Sequence, residues 1–262
     1  MMWTRSELKQ RAKVSFKRYY WSAVAVCFII LVLQFLTGNG GTAPTATYKI
    51  NGNTVYEQDA AVSQTQDYVE RYVLSESGMG MLSAFLSTGL AFYAVIIILL
   101  QIALNYFIFN PLYVGMASFF YRSRKEKMSV GELAFPFNKD YFVPVVKTMF
   151  FVKLYTFLWT LLFIIPGIVK SYSYRMVPYI LSETPNLSTK DAIQLSKDMT
   201  QGHKLNIFIL DLSFFGWALL GAITFGLTDI FYTLPYREAT EAELYAVLRD
   251  PFIKASSEAD VF

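Results

Sequence analysis

The chain has 262 residues, 54% of them hydrophobic and 17% aromatic, which is more apolar than soluble domains of this length. Its net charge of +3 is too small to point to nucleic acid as a partner. A single cysteine, Cys27, excludes an internal disulfide and a cysteine-based metal set, and a single histidine, His203, excludes any site that needs two.

Residues 1–18 open with a helix start. Thr4 caps, Glu7 three residues later completes a capping box, and Trp3 with Leu8 makes a hydrophobic staple. The helix places Leu8, Ala12 and Phe16 on one face among basic residues, the pattern of an amphipathic cytoplasmic helix lying on an anionic inner leaflet. It is read either as an orienting collar or as a lipid or partner sensor. Tyr19–Leu36 follows, about 18 apolar residues, too long for an ordinary signal-peptide core and followed by a weak cleavage match. It is read as a retained span.

The 43-residue loop from Gly38 to Gly80 (38–80) is extracytoplasmic in this reading. Tyr48–Tyr56 places β-type residues on both sides of Asn51-Gly52, a type I′ hairpin signal, and Gln58–Ser75 carries the apolar stripe of a helix. The loop is either a cap over the spans or a receptor or gate. Met81–Phe109 is long enough to cross a hydrocarbon core of about 30 Å, which needs about 20 residues. It ends in Asn110-Pro111-Leu112-Tyr113.

Val143–Leu181 is too long for one span and contains Pro166-Gly167, so a hairpin is expected, out along 146–165 and back along 168–183. Ser188-Thr189-Lys190-Asp191 starts a cytoplasmic helix within 184–204, with Gly202 placed to end it. Leu205–Tyr236, punctuated by Gly216, Gly221 and Gly226, is expected to turn near Gly221–Phe225, with arms of about 15 residues, roughly 22 Å. Such arms tilt, thin the membrane or are re-entrant. Residues 237–262 form a cytoplasmic tail in which Ala239–Leu248 repeats the theme of the 184–204 segment, a helix packed on the spans or the interface.

Six basic residues precede the first run, and Arg122, Arg124, Lys125 and Lys127 follow the second. Lys190, Lys197 and Lys204 lie between the last two. The outer loop holds only Lys49 and Arg71. By the positive-inside rule both termini are cytoplasmic. The expected fold is therefore all-α: one polytopic transmembrane helical bundle of about six spans arranged as hairpins, with amphipathic interfacial helices. Trp159 to Pro178-Tyr179 and Trp217 to Pro235-Tyr236 share similar apolar sequences and a Trp-to-Pro spacing of 19 and 18, which is either an internal repeat or the chance likeness of apolar segments.

No HExxH, GxSxG, P-loop or GxGxxG occurs, so neither an enzyme nor a cofactor is expected. The informative residues are charges inside apolar runs, because a charge at membrane depth costs several kcal/mol unless paired or water-facing. Lys147 and Lys170 can snorkel. Lys153, Arg175, Asp211 and Asp229 are harder to excuse: they are either structural ion pairs or a pocket for an anionic lipid, peptide or solute, lined or rimmed by Tyr155, Tyr172 and Tyr174, and Arg175 and Asp211 are expected to face the interior and interact.

Three segments carry a resemblance: Leu158–Glu183 around Ile165-Pro166-Gly167, Ala192–Lys204, and Pro235-Tyr-Arg-Glu-Ala-Thr-Glu-Ala-Glu-Leu-Tyr245. Through them the chain resembles a family of uncharacterised integral membrane proteins common in Firmicutes, distantly similar to the membrane domain attached to some glycerophosphodiester phosphodiesterases. The resemblance implies a multi-pass protein of the bacterial cytoplasmic membrane and no activity. The expected function is a non-enzymatic membrane module that binds membrane lipids or a membrane-active peptide, or supports another membrane protein. Envelope stress or antimicrobial protection is the physiological setting that fits. The alternative is a small transporter or channel, suggested by broken helices and buried charges.

Overall fold

Pro111, Pro178 and Pro235 each stand within the first two residues of a helix, and they organise the chain. The computed structural model describes residues 3–36, 79–224 and 226–259, and these are all-α, 86% helical with no strand. The expected hairpin at Tyr48–Tyr56 and helix at Gln58–Ser75 lie outside the described residues. The chain divides into two units, Gly41–Ile102 and the remainder. In the first unit the described residues belong to α3 (Met79–Leu104), whose large apolar side chains from Leu86 to Ile102 are exposed.

The other unit begins with α1 (Arg5–Arg18), capped by the Thr4 side chain, which accepts from the Glu7 amide. It meets α2 (Tyr20–Leu36) at 94°. A π turn at Asn105–Phe109 leads into α4 (Asn110–Arg122). A long hairpin follows: α5 (Lys139–Leu162), then a return arm broken into α6 (Ile164–Ser173) and α7 (Val177–Glu183). Next come α8 (Thr189–Thr200), α9 (Lys204–Leu212) and α10 (Phe215–Ile223). A second π turn, Asp229–Thr233, opens α11 (Leu234–Ala259).

Both π turns have the same cause. A proline ring collides with the carbonyl four residues back and offers it no donor. Ahead of Pro111 and Pro235 the helix widens instead, and Asn110 and Leu234 bond five residues back to the carbonyls of Asn105 and Asp229. The expected break of the first hairpin shifts for a related reason. Pro166 lies in the first turn of α6, where its missing donor costs nothing, and the chain turns at Phe163 (φ −153°, ψ 136°). Gly167 is used for contact rather than for turning: a Cβ there would lie 2.3 Å from Thr160 Oγ1. In the second hairpin the turn does need glycine, at Gly226 with φ 84°.

Ser196 repairs the break in the first return arm. Its hydroxyl donates to the Ser173 carbonyl at 2.8 Å and accepts from the Met176 amide at 3.2 Å. The interior is built from α1, α4, α7, α8 and α11: Leu8, Phe119, Phe120, Tyr179, Leu181, Ala242, Leu244 and Tyr245 are all at most 1% exposed. One expectation is corrected here. Leu8, Ala12 and Phe16 are buried as α1 packs on α11, so that face is spent on protein and not on a leaflet. Residues 239–248, expected as a helix packed on the spans or the interface, contribute to the interior: Ala239, Ala242, Leu244, Tyr245 and Leu248 are buried among α1, α4 and α7.

Much of the surface of the apolar runs is bare. Phe157, Leu161, Leu162, Ile164, Ile165, Leu205, Phe215 and Ile223 are exposed. Such surface costs about 25 cal/mol per Å² in water, and contiguous patches of it mark a membrane or a partner. Among the described residues three helical runs are long and apolar enough to cross a bilayer, Leu86–Arg122 (37 residues), Lys139–Leu162 (24) and Lys204–Ile223 (20), and a fourth if the bent α1–α2 pair counts as one. These runs mark a membrane protein with three or four candidate spans among the described residues, fewer than the about six expected. The sequence count takes each apolar return arm as a span, but α6 has 10 residues, roughly 15 Å, before it breaks.

Candidate functional site

The break between α6 and α7 places Arg175 where three elements meet. Its guanidinium grips Asp211 of α9 with two bonds, Nη1 to Oδ2 at 2.5 Å and Nη2 to Oδ1 at 2.8 Å. Nη2 also donates to Glu241 Oε1 of α11 at 2.5 Å. Arg237, one turn before Glu241, reaches Asp211 Oδ1 at 3.3 Å and Glu241 Oε1 at 3.5 Å. The Tyr172 hydroxyl donates to Asp211 Oδ2 at 3.1 Å, and its ring lies 5.6 Å from the Arg175 guanidinium. Asp211 therefore accepts from three side chains, a fork geometry that suits arginine.

A cavity of about 310 Å³ opens on this network. Tyr113 and Glu238 complete its charged and aromatic wall. Its three carboxylates outnumber its two guanidiniums. Asp211 and Glu241 are engaged by Arg175 and Arg237, whereas Glu238 has no hydrogen bond or ion pair among the described residues. Burial, and then the neighbouring Glu241 carboxylate, push Glu238 up to about 8. Near neutrality it is therefore mainly protonated. Among the described residues no group of three His, Cys, Asp or Glu side chains is arranged to hold a metal.

The residues singled out in the sequence do not form one site. Arg175, Asp211 and Tyr172 come together. Lys153, on α5, donates to Asn105 Oδ1 at 3.0 Å and lies 5.7 Å from the Tyr106 ring, away from the cavity wall. Asp229 packs at the second hairpin, where a Cβ on Gly221 would lie 2.0 Å from its Oδ2. Tyr174 is buried and lines a second cavity, of about 590 Å³, with Tyr155, Trp159 and Lys170. Arg237, Glu238 and Glu241 escape a sequence reading that assigns them to a tail. Their signal is the Arg237–Glu241 pair at i,i+4 directly after an apolar run.

The chain belongs to the family described as protein of unknown function (DUF975), which matches residues 1–251. No curated protein and no solved structure matches it.

Proposed function

We propose that this protein, from a family without an assigned activity, is a non-enzymatic multi-pass module of the bacterial cytoplasmic membrane that captures the ammonium group of a membrane amphiphile. The amphiphile is a lysine-rich membrane-active peptide or an aminolipid. One observation carries the reading: the Arg175 cavity has an excess carboxylate, Glu238, beside two tyrosines. A carboxylate left over once both arginines are engaged suits a cation, and aromatic walls add to its attraction. An ammonium beside Glu238 would favour its ionised form, which burial and the Glu241 carboxylate disfavour in the empty cavity. A cytoplasmic N-terminus belongs to the same proposal, supported by the basic residues of α1 and its right-angled entry into α2. So does the likeness to the membrane domain of glycerophosphodiester phosphodiesterases, carried by Leu158–Glu183 and its companion segments.

The test is fluorescence anisotropy of a labelled lysine-rich amphipathic peptide with the purified protein in neutral maltoside micelles. Losing a hydrogen-bonded charge partner is worth about 1.5–3 kcal/mol, so E238Q is expected to weaken binding about tenfold or more. Equal affinity for wild type and E238Q would defeat the reading. Displacement of the peptide by short-chain phosphatidylethanolamine would identify an aminolipid as the occupant.

A transporter is the second reading, favoured by the breaks in both return arms, at Tyr174–Met176 and at the Asp229–Thr233 π turn, close to Arg175 and Arg237. It expects uptake of radiolabelled methylammonium by proteoliposomes, lost in E238Q.

A further inference from the structure

The second cavity has the opposite electrostatics. Lys170 comes to it from α6 and Lys190 and Lys197 from α8, seven residues and so about two turns apart on one face. Its single acid, Asp191, is already occupied at the start of α8, where it accepts from the Ser188 hydroxyl at 2.6 Å. None of the three lysines has a carboxylate within ion-pairing distance among the described residues. Two are held over aromatic faces instead: Lys170 Nζ lies 4.8 Å from the centroid of Trp159 and Lys197 Nζ 6.0 Å from that of Tyr174. Such contacts orient an ammonium without neutralising it.

The walls point to the source of the anion. Tyr155 and Trp159 are about 40% and 39% exposed, and they continue into the bare apolar surface of Phe157, Leu161, Leu162 and Ile165. Acyl chains cover such a surface, and interfacial Trp and Tyr sit at headgroup level. At about 590 Å³ the cavity is in the size range of small-molecule sites.

We infer that the cleft between α5, α6 and α8 binds the phosphate of an anionic membrane lipid through Lys170, Lys190 and Lys197. Its lining shares no residue with the Arg175 cavity, so the inference does not depend on the ammonium reading.

The experiment is native mass spectrometry of the full chain, released from detergent after exchange with equal amounts of phosphatidylglycerol and phosphatidylcholine. Wild type is expected to retain phosphatidylglycerol about tenfold over phosphatidylcholine. The K170Q/K197Q variant, with an unchanged unfolding temperature, is expected to lose that preference. K190Q, at an exposed position, provides a second reading if the double variant does not fold, and it should lose at least half of the preference. Soluble glycerol phosphate should fail to compete. No headgroup preference in wild type, or a preference untouched by K190Q and by any folded double variant, overturns the site. Competition by glycerol phosphate at the lipid's own concentration overturns the lipid as its source.

Discussion

The Tyr20 hydroxyl donates to the Phe231 carbonyl at 3.0 Å, and that is the carbonyl which Pro235, four residues on, cannot bond. A side chain of α2 thus supplies the donor that the proline withholds, and it ties α2 to the second hairpin. Tyr20→Phe removes one neutral hydrogen bond and is expected to cost about 1 kcal/mol, seen as a lower unfolding temperature in detergent. In a Pro235→Ala background the helix regains its own donor, so the same substitution should cost less. Equal costs in the two backgrounds would show that the proline and the tyrosine are unrelated.

Arg175 and Asp211 are a largely buried pair, with side chains 14% and 21% exposed. Asp211→Asn or Arg175→Gln is expected to destabilise by about 3–5 kcal/mol, because each leaves a buried partner unmatched. Arg175→Met with Asp211→Leu should recover part of that loss. The interaction energy from the double-mutant cycle is the check, and strict additivity would contradict the pairing.

Glu238 makes stability depend on pH. Its folded value, about 8, lies above the ordinary 4.5, so the folded state favours the protonated form. The resulting contribution is complete below about 4.5 and declines as pH rises through about 8. Unfolding temperatures between pH 5 and 8.5 should therefore fall with pH in wild type, and fall less in Glu238→Gln. Parallel pH profiles would remove Glu238 from the account.

Gly167→Ala places a Cβ 2.6 Å from the Thr160 Cα, so backbone and not only a side chain must move. A loss of about 1–3 kcal/mol is expected, from overpacking between the two arms of the first hairpin. Gly89→Ala, which meets nothing within 4 Å, is the matched control and should be neutral or slightly stabilising. Equal outcomes would show that the arms are not in contact at Thr160.

What the sequence determined by itself is what local physics governs. The apolar runs announce membrane-crossing helices. Thr4 and Ser188 start α1 and α8 because a cap needs only a hydroxyl and an amide two or three residues away. The sequence places Ala192, Leu195, Ser196 and Met199 on one face because helical periodicity is local too, and Ala192, Ser196 and Met199 are buried there with Leu195 half-buried. The rest was decided by partners distant in sequence. The turn at Phe163 rather than at Pro166-Gly167 follows from the fit of Gly167 against Thr160. The Leu8–Phe16 stripe faces protein because α11 covers it. The hairpin topology sets Arg175 and Asp211 in the same half of the bilayer, but the contact of Arg175 with Glu241, across 66 residues, is stated by no local pattern. A charge inside an apolar run signals only that it must be compensated. Tertiary packing chose the compensating partners, and by placing three carboxylates around two arginines it left Glu238 unpaired.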